Sequence, residues 1–82
     1  MTKEKIIDII IGIQMSKDTD YITEALNKII TFIINQKEFN YQKIIEYIRS
    51  CESGKLGGRF MYINKAYEYL VLELKKENKK CQ

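Results

Sequence analysis

Histidine, tryptophan and proline are absent from this chain, and cysteine and glycine are scarce, with two and four copies in 82 residues. The lack of histidine removes the usual general base near neutral pH and the commonest zinc ligand, which weakens most hydrolase and metalloenzyme readings at the outset. The shortness of the chain acts in the same direction. At this length only about two thirds of the unfolded surface can be buried, so one modest core forms with little room for a deep active site. The two thiols, Cys51 and Cys81, stand far apart and form no CxxC pair. They read as reduced cysteines of a cytoplasmic protein, Cys51 in the core and Cys81 exposed, rather than as a disulfide framework or a zinc site. Long apolar runs are also missing. Ile6 to Ile13 is broken by Asp8 and followed by Gln14, Met15 and Ser16, which predicts neither an export signal nor a membrane span.

What the chain does have is isoleucine, fifteen of them, together with six tyrosines. Charge is nearly balanced. Residues 1–74 carry ten basic and ten acidic side chains, so the net +3 resides in Lys75, Lys76, Glu77, Lys79 and Lys80. A basic end differs from the basic face of a nucleic-acid-binding domain, and lysines in a last helical turn complement the negative end of the helix dipole.

Apolar periodicity predicts four helices. Thr2 is placed to cap a first helix from Lys3 to about Met15, with Ile6, Ile9, Ile10 and Ile13 at helical spacing and Ile7 and Ile11 widening the stripe. The polar cluster Ser16 to Asp20 supplies a turn and an N-cap for a second helix from about Thr19 to Asn35, whose Ile22, Ala25, Leu26, Ile29, Ile30 and Ile33 form one face. Asn40 is the expected cap of a third helix built on Tyr41, Ile44, Ile45 and Ile48, closed by Ser53 and Gly54, with Gly54 expected in the left-handed conformation. A fourth begins near Arg59 on Phe60, Ile63, Tyr67, Leu70, Val71 and Leu74, and is expected to fray over 77–82. The expected fold is all-α: one domain over 1–82, a compact four-helix bundle with a glycine-rich loop between helices 3 and 4.

That loop, Ser53-Gly54-Lys55-Leu56-Gly57-Gly58-Arg59, holds three of the four glycines. Glycines let successive backbone amides converge on an anion, and a following helix N-terminus adds positive potential. The candidate ligand-binding residues are therefore Gly54, Lys55, Gly57, Gly58, Arg59 and Tyr62, in the one basic and aromatic region of the body. This mixture suits a nucleotide or a single strand, since tyrosine and arginine stack on bases while lysine and amides hold phosphates. The motif is neither a P-loop nor a dinucleotide fingerprint. Ser53 and Cys51 have no histidine to activate them, and no carboxylate pair stands out, so no catalytic residue, metal ligand or cofactor is assigned.

Three other readings compete. In a helix-turn-helix protein the third helix would present Asn40, Gln42, Lys43 and Glu46, but its cations are offset by acids. In a winged variant residues 56–63 would form a hairpin turning at Gly57-Gly58. In a protein-binding inhibitor or adaptor, tyrosine and isoleucine surfaces would meet a partner protein, and the surplus apolar residues Ile7, Ile11, Phe32, Ile34 and Phe39 would favour a homo-oligomer. The leading expectation is a non-enzymatic binder of a phosphate-bearing ligand, nucleotide or nucleic acid. Core and exterior are predicted to divide the tyrosines, with Tyr67 inside and Tyr62 and Tyr69 outside.

Overall fold

Each stretch with apolar side chains three and four residues apart winds into an α-helix: α1 Lys3–Lys17, α2 Asp20–Asn35, α3 Tyr41–Cys51 and α4 Gly58–Lys80. The computed structural model describes residues 2–17, 19–55 and 57–80. No strand occurs among the described residues, so the expected all-α bundle forms. Gly58 to Ile63 are helical, which excludes the winged hairpin over 56–63: the residues after Gly57 spend their amides and carbonyls in the helix. Helix α4 also continues through Lys80, past the start of the expected fray, with Glu77 and Lys80 paired at 3.6 Å on its last turn. Cys81, expected on the outside, lies beyond the described residues.

The ends are fixed by local chemistry. The Thr2 hydroxyl accepts from the Lys5 amide at 3.2 Å, and the Asn40 side chain accepts from the Lys43 amide at 3.1 Å, so both expected caps are made. Thr19 holds the N-cap position of α2, but its side chain makes no cap bond and its Oγ1 is buried without a partner among the described residues. Helix α3 stops one residue earlier than the glycine signal implied. Its last helical residue is Cys51, and Glu52 turns out of the helix at φ −64°, ψ 133° while its amide reaches back to the Arg49 carbonyl. Gly54 is not among the positive-φ residues, so the expected left-handed helix stop is absent.

Helices α1 and α2 form an antiparallel hairpin. Lys3 Nζ donates to the Gln36 carbonyl at one end, and Gln14 Nε2 donates to the Thr23 carbonyl at 3.1 Å and to Asn27 Oδ1 at 2.9 Å at the other. Helices α2 and α4 pack on each other, and both meet α1 and α3, whereas α1 and α3 do not meet among the described residues. The core therefore lies along the α2–α4 seam, roofed on one side by α1 and on the other by α3. Ile6 and Ile10 of α1, Leu26, Ile29 and Ile33 of α2, Ile44 and Ile48 of α3, and Leu70 and Leu74 of α4 have no exposed surface. Full burial of one such side chain contributes about 1.5–3 kcal/mol, so the central isoleucines and leucines are the main source of stability. The radius of gyration, 12.3 Å, is close to the ~12 Å of a compact chain of this length.

The surplus apolar residues divide. Ile7 and Phe32 pack against the core, Phe32 with its ring stacked on Tyr47 at 4.2 Å and 3°, while Ile11, Ile34 and Phe39 remain exposed. Phe60, expected on the buried face of α4, is 36% exposed and lies at an open cleft with Cys51 and Ser53. Tyr67 is buried, and Tyr62 and Tyr69 are exposed, as the helical spacing predicts.

Candidate functional site

The connection from α3 to α4 is held by a side chain that the sequence does not advertise. Asn64, in the second turn of α4, accepts from the Ser53 amide at 3.0 Å and donates to the Ser53 carbonyl at 2.9 Å, satisfying both backbone groups of that residue. The Ser53 hydroxyl then accepts from the Lys55 amide at 3.1 Å. Beyond this clamp the chain reverses through Gly57 and Gly58, at φ +90° and +56°, values that a side chain with a Cβ adopts only with strain. Open space surrounds the missing Cβ of both, so conformation, not crowding, is what requires glycine there. Gly58 opens α4, and its 23 residues point the positive end of the helix dipole at this turn.

Beside the turn lies an open cleft of about 250 Å³ between α2, the end of α3 and the first turns of α4. Helix α2 contributes Tyr21, Glu24 and Lys28, the end of α3 and the following loop contribute Cys51 and Ser53, and α4 contributes Arg59 and Phe60. Two cations, Lys28 and Arg59, thus face one acid, Glu24. Lys55 stands at the rim with its ammonium 5.3 Å from the centre of the Phe60 ring, a cation–π contact that steers the charge toward the cleft's aromatic wall.

Of the expected site residues, Arg59 lines the cleft, Lys55 reaches it through Phe60, and Gly57 and Gly58 shape the turn above it. Gly54 belongs to the connection without a special backbone conformation, and Tyr62, 51% exposed, is not part of the lining. Cys51 is half-buried at the cleft wall instead of sealed in the core, because α3 ends at that residue.

Tyr67 closes the floor. Burial, then the neighbouring Cys51 and Tyr47, push its phenol up to about 12, so it stays neutral, and its hydroxyl lies 3.5 Å from the Ala25 carbonyl. Burial likewise raises Tyr47, with the Cys51 charge and a hydrogen bond to Cys51 adding to the shift, and burial raises Tyr41. The floor of the cleft is therefore uncharged, and its charge comes from the rim. Glu52, next to the clamp, has one carboxylate oxygen enclosed without a hydrogen bond among the described residues, with Arg49 3.8 Å away to balance its charge.

Lys28, Tyr21 and Asn64 were not foreseen as site residues. Lys28 had a visible signal, since it follows Glu24 by one helical turn on a face that borders the core stripe. Asn64 had none, because its partner lies 11 residues away across a loop whose path the sequence leaves open. Among the described residues no cluster of three metal-ligating side chains occurs, and no helix is long and apolar enough to cross a membrane. No family model, curated protein or solved structure matches the chain.

Proposed function

We propose that this protein is a non-enzymatic binder that captures a phosphate-bearing ligand, a nucleotide or one nucleotide of a strand, in the cleft between α2 and the α3–α4 connection. The observation that carries the reading is that Arg59 and Lys28 line one cleft with aromatic walls, beside the first turns of α4. A helix N-terminus and a guanidinium both favour a phosphate, Arg59 with two parallel donors, while Tyr21 and Phe60 offer faces for a base. The cleft, about 250 Å³ and open to solvent, is smaller than most ligand pockets, so a nucleotide would place only part of itself inside and leave the rest on the surface. The partly exposed Cys51 thiol suits a reducing, cytoplasmic setting.

Calorimetric titration with ATP, inorganic phosphate and a short single-stranded oligonucleotide tests this. ATP or the oligonucleotide is expected to bind, with affinity falling as salt rises. Arg59→Ala and Lys28→Ala are each expected to weaken binding by about tenfold or more, the usual effect of removing a charge-assisted bond. Parent-like affinity in both variants, or no heat from any of the three probes, rejects the reading.

The second reading, a protein-binding inhibitor or adaptor, is supported by the apolar side chains left outside, including Ile34 at 61% and Leu72 at 58% exposed. In that case the titrations are silent and Tyr62→Ala abolishes partner association.

A further inference from the structure

Helix α4 is apolar on two sides. One side supplies Tyr67, Leu70, Val71 and Leu74 to the core, as a helix in a bundle must. The other side has no neighbouring helix among the described residues, yet it carries Met61, Tyr62, Tyr69 and Leu72, exposed by 40%, 51%, 49% and 58%. Lys65 and Glu68, also exposed, lie between them. The face is bordered by two grooves, one against α1 with Gly12 open in its wall and Tyr69 on its edge, the other against α3 with Arg49 beside Glu68 and Leu72.

The spacing of Met61, Lys65, Glu68 and Leu72 is four, three, four, the repeat of a coiled-coil seam. It also reads the same from both ends in terms of chemistry: apolar, charged, oppositely charged, apolar. Laid antiparallel on a second copy about an axis between Ala66 and Tyr67, Met61 meets Leu72 of the partner subunit and Lys65 meets Glu68 of the partner subunit. The two-fold axis repeats both contacts. Tyr62 and Tyr69, seven residues apart on one flank, are brought toward each other's copies in the same register. No charge on the seam from Met61 to Leu72 meets its own sign.

We infer that the outward face of α4 is a homodimer interface, with two α4 helices packed antiparallel and registered by reciprocal Lys65–Glu68 pairs. A random exposed face has no reason to be self-complementary; an isologous two-fold contact requires it. From Met61 to Leu72 the seam is only about 17 Å long and a helix is about 10 Å wide, so α4 alone does not reach the ~800 Å² per subunit of a standard interface. The flanking grooves must add to it, and the dimer is expected in the micromolar range. This surface is separate from the cleft. Dimer formation and ligand binding therefore succeed or fail independently.

Sedimentation equilibrium of the full chain from 1 to 300 µM, together with charge exchange, tests the inference. The parent is expected to dimerise. Lys65→Glu alone and Glu68→Lys alone each set like charges across the axis and are expected to be monomeric over the range, with unchanged helical circular dichroism because both side chains are exposed. The double exchange Lys65→Glu with Glu68→Lys restores opposite charges and is expected to dimerise again. An equimolar mixture of the two single variants is expected to form heterodimers. A parent that stays monomeric at 300 µM overturns the interface. Single variants that dimerise like the parent, or a double exchange and a mixture that both remain monomeric, overturn the register.

Discussion

The connection before α3 and the one after it both leave a helix through an extended residue, Gln36 at φ −67°, ψ 129° and Glu52 at φ −64°, ψ 133°. In both, a side-chain carboxamide binds the amide and the carbonyl of a single residue. Gln36 does so to Asn40, with bonds of 3.3 Å across four residues, and Asn64 does so to Ser53, with bonds of 3.0 and 2.9 Å across 11 residues. They diverge in how the next helix starts. Asn40 caps α3 with its own side chain, whereas α4 starts from two glycines at positive φ. The first connection thus uses its polar groups on itself. The second keeps its turn open next to Arg59, and the two clefts differ accordingly: the one at the first connection is lined by Gln36, Lys37, Glu38, Asn40 and Lys43 with no aromatic wall, the one at the second by Arg59 and Lys28 with Tyr21 and Phe60.

Breaking the longer clamp is expected to have the largest effect. Asn64→Ala removes two part-buried bonds and leaves the Ser53 amide and carbonyl unpaired, at a cost of about 2 kcal/mol in a urea melt. The same variant should lose ATP affinity, because the clamp positions the loop above the cleft. A smaller effect is expected from Asn40→Ala, about 1 kcal/mol for a lost N-cap, with the cleft intact and ligand affinity unchanged. Should Asn40→Ala prove the more damaging of the two, the two connections do not differ as described.

Glycine sharpens the contrast at the lowest end of the scale. Gly57→Ala forces a Cβ into positive φ and is expected to destabilise by about 1 kcal/mol, while Gly54→Ala, with no positive φ and open space around it, is expected to be neutral or to stabilise by about 0.4 kcal/mol through a stiffer unfolded chain. Thermal melts of both variants in one buffer decide it. A larger loss for Gly54→Ala would restore the helix-stop role expected from the sequence.

That pair of glycines also illustrates what was legible beforehand. Helix periodicity placed all four helices, because the spacing of residues such as Ile22, Leu26, Ile29 and Ile33 expresses the geometry of the helix itself, and Asn40 and Thr2 carried their caps in their residue type. Gly54 was misjudged because glycine tolerates both signs of φ, and only the path of the chain selects one. The cleft was half legible: Arg59 and the Gly57-Gly58 turn are local features, but Lys28 and Tyr21 join them through the packing of α2 on α4. Phe60 and Cys51 fell on helical core positions and yet sit at a rim, since periodicity gives the face of a helix and not where its neighbour ends.

Among the described residues α1 and α3 do not touch, so each outer helix is held by the α2–α4 pair alone. Either outer helix covers its own side of the α2–α4 pair, so the release of one uncovers part of the core while the other side stays roofed. No residue of α1 lines the cleft, whereas the end of α3 forms one of its walls. Fraying of α1 would therefore leave the lining of the cleft in place. Release of α3 would dismantle one wall of the cleft in the same event.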